Sequence, residues 1–214
     1  MRSLSLSFAW RFGKCQAVRL YNLCVPSKRV PEFSLEHPLA SAFAVIRGVL
    51  FSPRSFYRDF EAEGPLKEPT LFVLLVGAVT GFLGAVVALA SNLSFGELGL
   101  GDVWSAVLEG LLFALLSPVY VGIAAGFYLL AIRTFVGKVG SLEEVYRIAA
   151  YAFGALILFW IPVVGAFAVT YAFMILMGIG IHSVYRTSFI TTVVVALSGF
   201  VPVATALIFV TTLG

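Results

Sequence analysis

Charged residues are scarce in this chain, and this scarcity restricts its class more than any other property. Asp, Glu, Lys and Arg make up 12% of the 214 residues, whereas 60% are hydrophobic. A soluble globular domain carries about a quarter charged residues, so this chain has too few to cover a surface in water. The mean hydropathy of +1.02 points the same way. The composition excludes an ordinary soluble domain and predicts an integral membrane protein.

Metal ligands and catalytic groups are also few. The chain has two cysteines, Cys15 and Cys24, and two histidines, His37 and His182. A structural zinc site needs four ligands at close spacing, so we expect neither a metal site nor a cofactor. The apolar runs contain no Ser-His-Asp set and no paired acids, and the chain has no HExxH motif and no P-loop. We therefore predict no catalytic residues and no enzyme.

Long apolar runs are abundant, and they predict an all-α, polytopic membrane bundle. A membrane helix needs about 20 residues to cross roughly 30 Å of hydrocarbon. The run from Ile148 to Ile181 has 34 residues without a charge, and Pro162 and Gly165 divide it into a helical hairpin. A capping box at Ser141–Glu144 marks the start of the helix before this break. The five predicted transmembrane helices, within a membrane domain of residues 69–214, are residues 71–91, 106–132, 144–161, 163–181 and 188–211.

Positive charges flank these runs on one side only. Arg133, Lys138 and Arg147 lie between the second and third runs, and Arg186 lies between the fourth and fifth. Loops rich in Lys and Arg stay in the cytoplasm, so the pattern predicts a cytoplasmic N-terminus and an external C-terminus. The basic residues, which give a pI near 9.0, therefore serve orientation, and we expect no nucleic-acid partner.

Residues 1–37 differ from the rest of the chain. They are rich in Ser and Arg and contain no acidic residue before Glu32. We expect a disordered tail or the product of a translation start assigned too early, with a transit peptide as the alternative. In a cytoplasmic tail, Cys15 and Cys24 are expected to be free thiols.

Residues 38–68 form an amphipathic cytoplasmic segment. Apolar and aromatic residues recur there at helical spacing with arginines between them, and Pro53 divides the segment. The pattern suits an N-terminal amphipathic helix at the membrane interface. Packing against the cytoplasmic end of the bundle fits it equally well. The candidate membrane or partner face consists of Arg54, Phe56, Tyr57, Phe60, Lys138 and Arg147.

Glu109 is the acidic residue closest to the predicted membrane core. Carboxylates inside a membrane often serve ion or proton transfer. However, residues 110–132 alone can span a bilayer, so we expect Glu109 at the hydrated outer interface. The alternative function is a small transporter or channel subunit with a path through the bundle near Glu109. The other residues of that path would be Pro118, Tyr120, Tyr128, Tyr151, Tyr171 and Pro202.

Two glycine pairs have four-residue spacing, Gly77 with Gly81 and Gly122 with Gly126. Small residues at this spacing let helix backbones approach closely in a membrane. We predict helix packing within the bundle at these positions, with dimerisation as the sharper alternative.

Several short segments occur in a distinctive order. They are Ser52-Pro53-Arg54-Ser55-Phe56-Tyr57, Gly137–Ser141, Val145–Ala152, Trp160-Ile161-Pro162 and Gly178–His182. This order resembles the Yip (Ypt-interacting protein) family from about Arg47 to the C-terminus. The resemblance implies a five-helix membrane domain with a cytoplasmic N-terminus. Eukaryotic members of that family are associated with Rab GTPases, with one another and with early secretory membranes.

The chain also departs from the Yip pattern. Ala155 stands where proline is common, Val139 stands where glycine is common, and the acidic stretch of eukaryotic N-terminal regions is absent. We therefore expect a prokaryotic cell membrane protein without enzymatic activity, which scaffolds or shapes membranes and recruits a partner at the cytoplasmic face. The expected partners are the lipid bilayer and other membrane proteins or a second copy. A small GTPase is implied by the resemblance alone.

Overall fold

The computed structural model describes residues 33–61, 64–95, 99–137, 139–161 and 163–213, and helices are the only regular secondary structure in these ranges. The all-helical prediction is confirmed for this part of the chain. The helices are α1 (Pro38–Phe51), α2 (Pro53–Arg58), α3 (Lys67–Phe95), α4 (Leu100–Phe135), α5 (Leu142–Ala152), α6 (Val164–Tyr185) and α7 (Phe189–Leu213).

Three of the described helices are long and apolar enough to cross a membrane. They are Lys67–Ser94 within α3, Leu100–Phe135 and Val164–Tyr185. The remaining two predicted spans coincide with α5, which continues as the 3₁₀ turn Phe153–Leu158, and with α7. The helix α4 has 36 residues, about 54 Å at 1.5 Å per residue, so it is longer than the hydrocarbon core is thick.

The helix α5 forms the centre of the bundle. Every residue from Val145 to Leu156 is buried, including Arg147. The Ser141 hydroxyl caps this helix by accepting a hydrogen bond from the Glu144 N–H at 3.2 Å. The Glu144 carboxylate accepts a hydrogen bond from the Tyr185 hydroxyl at 3.0 Å, which ties the start of α5 to the end of α6. The cap thus fixes where the central helix begins.

The helices α3 and α4 pack at unusually short distance. A Cβ atom on Gly77 would lie 2.6 Å from the Ser117 Oγ, and one on Gly110 would lie 2.8 Å from the Gly81 carbonyl oxygen. The Ser117 hydroxyl donates to the Val73 carbonyl across the same contact at 3.3 Å. Gly77 and Gly81 therefore lie between two helices of one chain, whose backbones approach because no side chain separates them.

Two irregular segments face each other inside the bundle. The residues after α5 form the 3₁₀ turn Phe153–Leu158, and α6 contains the π-helical segment Tyr171–Leu176. The Thr80 hydroxyl donates to the Leu156 carbonyl at 3.1 Å, and the Tyr128 hydroxyl donates to the Phe173 carbonyl. Hydroxyl groups from neighbouring helices thus satisfy carbonyls where the α-helical pattern is broken, as an environment without water requires.

The hairpin between α5 and α6 turns at Val163. Its backbone has φ 68° and ψ −52°, a conformation that is costly for a β-branched residue. The Gly165 N–H donates to the Ile161 carbonyl at 2.8 Å, which closes the turn. The helices α4 and α7 continue through Pro118 and Pro202 without a break in their assigned bounds.

Candidate functional site

The segment before α3 packs inside the bundle through an aromatic cluster, which comprises Phe56, Tyr57, Phe60, Phe72 and Tyr151. Ring centroids lie 5.2 Å apart for Phe56 and Tyr57, 5.6 Å for Phe60 and Tyr151, and 5.4 Å for Phe72 and Tyr151. Offset and edge-on contacts of this kind are favourable beyond the area they bury. The aromatic cluster therefore holds α2 against α3 and α5.

Tyr57 is buried in the aromatic cluster, with 1% of its surface exposed. Its hydroxyl donates to the Ile148 carbonyl of α5 at 3.3 Å. Its ring lies over Gly180 of α6, where an added Cβ would be 3.3 Å from the ring carbons. Burial, together with the neighbouring Tyr171 and Tyr151 phenols, raises the pKa of the Tyr57 phenol above its ordinary value. The phenol is therefore neutral at physiological pH and acts as a donor.

Arg147 lies on α5 and is 2% exposed. Its Nη1 donates to the Pro65 carbonyl at 3.1 Å, and its guanidinium carbon lies 5.8 Å from the centre of the Phe60 ring. A Cβ on Gly64 would lie 2.7 Å from the same Nη1. The guanidinium therefore attaches the connection between α2 and α3 to the central helix, through a charge-assisted hydrogen bond and a cation–π contact.

The structure corrects the predicted membrane or partner face. Phe56, Tyr57, Phe60 and Arg147 are buried in the bundle, so they present no surface to a membrane or a partner. Arg54 is exposed. Lys138 lies outside the described residues. The helical spacing of these aromatic residues correctly indicated a buried face, but other helices of the same chain cover that face.

A different apolar face of the same segment is exposed. Leu39, Phe43 and Phe51 of α1 are 73%, 69% and 80% exposed, and Arg47 between them is also exposed. The opposite side of α1 is buried at Ala42, Val45 and Val49. The sequence reasoning missed Leu39 and Phe51. The signal that identifies them is the spacing of four residues between each of Leu39, Phe43, Arg47 and Phe51, which places these side chains on one helix face.

The position of α1 is set by contacts with the middle of other helices. The Tyr171 hydroxyl of α6 donates to the Leu50 carbonyl at 3.2 Å. A Cβ on Gly154 would lie 3.6 Å from Cγ1 of Ile46. The helix α1 thus lies along the flank of the bundle, beside the two irregular segments.

The residues proposed for a transport path do not line a common path. Glu109 and Tyr120 are exposed on α4. Tyr128 and Tyr171 use their hydroxyls on backbone carbonyls, and Tyr151 belongs to the aromatic cluster. Within the described ranges, no group of three or more His, Cys, Asp or Glu side chains could hold a metal ion. The geometry does not favour a transporter.

The second glycine pair has fewer close neighbours than the first. An added Cβ on Gly122 would meet the Tyr146 ring at 3.9 Å, and one on Gly126 would meet nothing within 4 Å. Close packing within the chain therefore requires glycine at Gly77 and Gly81 but does not require it at these two positions.

A family model of the Yip1 domain matches residues 47–211. The match begins inside α1, nine residues after the start of that helix, and ends inside α7. No curated protein and no solved structure matches the chain.

Proposed function

Because this chain belongs to the Yip1-domain family of membrane proteins, we propose that it is a non-enzymatic, five-span protein that shapes or scaffolds a membrane. Its N-terminus lies in the cytoplasm and its C-terminus lies outside. The flanking positive charges support this orientation. The five helical positions from α3 to α7 support the span count, with α5 and its 3₁₀ turn as the short central span.

The membrane-shaping role rests on the position of α2, which packs at one end of the bundle. The helix α2 and the residues after it pack beside the starts of α3 and α5, through the Tyr57 and Phe60 contacts, and so add to the cross-section of that end. At the opposite end, no residue from Phe82 to Ser94 of α3 is buried. A body with a larger cross-section in one leaflet than in the other favours a curved bilayer.

A partner would bind at the cytoplasmic face. The basic side chains exposed there include Arg54 and Arg58, of which Arg58 forms an ion pair with Asp59 at 3.3 Å. Family membership suggests a small GTPase as the partner class. Binding of the reconstituted protein to a GTPase loaded with GDP or with a GTP analogue would test this assignment.

The membrane-shaping role is tested by curvature sorting. Fluorescently labelled full-length protein is reconstituted into giant vesicles, and thin tubes are pulled from them. We expect the ratio of protein to lipid signal to be higher in the tube than on the vesicle, and to rise as the tube narrows. A symmetric membrane peptide serves as the control. An equal ratio at every tube radius would contradict the proposal.

A further inference from the structure

The helix α1 carries an outward stripe of four side chains at every fourth position: Leu39, Phe43, Arg47 and Phe51. Residues four apart lie above one another on the same face of a helix. All four are exposed, while Ala42, Val45 and Val49 on the other side are buried. The helix therefore has two apolar faces, and the described part of the chain covers only one of them.

The stripe lies within the thickness of the bundle rather than above it. The Tyr171 hydroxyl that binds the Leu50 carbonyl belongs to a residue 14 positions before the end of α6 at Tyr185, which is about 20 Å along that helix. Gly154, which lies beside Ile46, is 12 positions after the start of α5 at Leu142, which is about 18 Å along the chain of that helix. The outward stripe is thus at the depth of residues that belong to the predicted spans.

The helix α1 is too short to cross a bilayer. Its 14 residues extend about 21 Å, which is less than the hydrocarbon thickness and is typical of re-entrant or interfacial segments. The family match begins at Arg47, so Leu39 and Phe43 precede the matched region.

We propose that α1 inserts into one leaflet as a half-membrane helix, on the side where α3 begins, with phospholipid as the occupant of its outward stripe. Leu39, Phe43 and Phe51 contact the acyl chains. Arg47 extends its long side chain toward the nearer headgroups, where local thinning of the leaflet brings a lipid phosphate within reach, and the guanidinium binds that phosphate through paired hydrogen bonds. This inference rests on the proposed membrane function and names the lipid chemistry of one of its surfaces.

Two observations favour lipid over a second copy of the chain. A twofold dimer would place the same patch on both subunits, so it would bring Arg47 close to its own copy. The outward stripe also consists of only four side chains, whereas a stable dimer needs about 800 Å² from each subunit. A lipid monolayer avoids both difficulties, because it supplies a phosphate for the guanidinium and acyl chains for the apolar residues.

The test measures the depth of single probes. The full-length chain with Cys15→Ser and Cys24→Ser receives one cysteine at a time, at Leu39, Phe43 or Phe51, and carries an environment-sensitive nitrobenzoxadiazole label. It is reconstituted in phosphatidylcholine and phosphatidylglycerol vesicles that contain acyl-brominated lipid. We expect at least twofold stronger bromine quenching at these sites than at Arg58→Cys, an exposed control on α2. Quenching equal to that control would overturn the inference.

A further label separates this inference from the proposed function. Phe82→Cys lies on the exposed surface of α3, inside a predicted span. Strong quenching at Phe82 with none on α1 would refute the half-membrane helix alone, whereas no quenching at either position would refute the membrane function as well. Disulfide-linked dimers of the unlabelled Phe43→Cys variant, in place of lipid quenching, would identify a second copy as the occupant and overturn the inference.

The Arg47 contact has its own test. Arg47→Leu removes the cation from the outward stripe, so we expect the Phe51 label to move deeper and to be quenched more strongly by bromines near the acyl-chain ends. An unchanged depth profile would show that Arg47 does not bind a phosphate.

Discussion

Gly81 of α3 and Gly110 of α4 meet backbone to backbone. A Cβ on either residue would run into the carbonyl group of the other. The contact needs hydrogen in place of a side chain on both helices, because lipid supplies no hydrophobic drive and close van der Waals contact must hold the helices together. This pair is therefore the tightest constraint on how the first two long helices associate.

Substitution of Gly81 tests this contact. We expect Gly81→Val to destabilise the bundle by about 1–3 kcal/mol or more through overpacking. Gly84→Val is the matched control, because nothing lies within 4 Å of a Cβ at Gly84. Reversible unfolding in mixed micelles, followed by tryptophan fluorescence, would measure both. Equal destabilisation by the two variants would contradict the packing described.

Removal of the Thr80 hydroxyl tests whether its hydrogen bond to the Leu156 carbonyl stabilises the 3₁₀ turn. Thr80→Val keeps the shape of the side chain but leaves the Leu156 carbonyl without this donor, and we expect a loss of about 0.6–2 kcal/mol. Thr170→Val serves as the control, since the Thr170 hydroxyl is exposed and bonds only to Ala166 in its own helix. The same unfolding measurement applies. A larger effect at Thr170 would show that the hydroxyl from α3 does not stabilise the turn.

Truncation of Tyr57 tests whether the N-terminal segment is part of the folded unit. We expect Tyr57→Ala to cost about 3–5 kcal/mol, as for other large buried side chains. Tyr57→Phe should cost about 1 kcal/mol through the lost hydrogen bond to Ile148. Arg54→Ala, at an exposed site on the same short helix, should change stability little. Thermal unfolding that is insensitive to Tyr57→Ala would show that α2 is not held in the bundle.

Relief of the turn strain at Val163 should stabilise the protein. We expect Val163→Gly to add about 1 kcal/mol, because glycine adopts a positive φ without steric cost and the Val163 side chain is exposed. Val164→Gly, at the first residue of α6, should instead destabilise the protein slightly, because Val164 has no positive φ to relieve and glycine adds conformational freedom to the unfolded chain. Opposite signs for these neighbours in chemical unfolding are the expected result. Destabilisation by both variants would argue that Val163 lacks this strain.

Neutralising Glu109 tests the transport alternative. Because its carboxylate is exposed on the surface of α4, we expect wild type and Glu109→Gln to show the same proton and cation flux in liposomes, equal to that of protein-free vesicles. A flux that disappears in Glu109→Gln would favour a transporter.

The positions of the long helices could be predicted from the sequence, because each must present an uninterrupted apolar surface to lipid. Their ends could not. The sequence predicts a second span that begins near residue 106, with Glu109 close to its start, yet α4 begins at Leu100 and also includes Asp102. These acids lie on exposed or half-buried positions, so they do not interrupt the helix. A charge marks where a helix leaves the hydrocarbon, and it says little about where the helix stops.

The candidate site shows a different limit of sequence reasoning. Phe43 and Phe56 both recur at helical spacing beside arginines, but one is exposed and the other is buried. The difference arises from distant partners, since Phe56 packs on Tyr151 and Phe43 has no such neighbour among the described residues. Periodicity identifies an apolar face, but it does not reveal whether lipid or another helix covers that face. Similarly, the sequence of Phe153–Leu158 does not predict that the Thr80 hydroxyl of another helix will donate a hydrogen bond to a 3₁₀ turn there.

The hydrogen bonds of Tyr57 with Ile148 and of Leu50 with Tyr171 can form only some time after the N-terminal partner of each pair has been synthesised. These partners are 91 and 121 residues apart. At roughly 5–20 residues per second, ribosomes synthesise Ile148 about 5–20 s after Tyr57. Tyr57 and Leu50 therefore leave the ribosome well before α5 and α6, on which they pack, have been synthesised. Until then, chaperones or the membrane insertion machinery must shield the aromatic side chains of this segment.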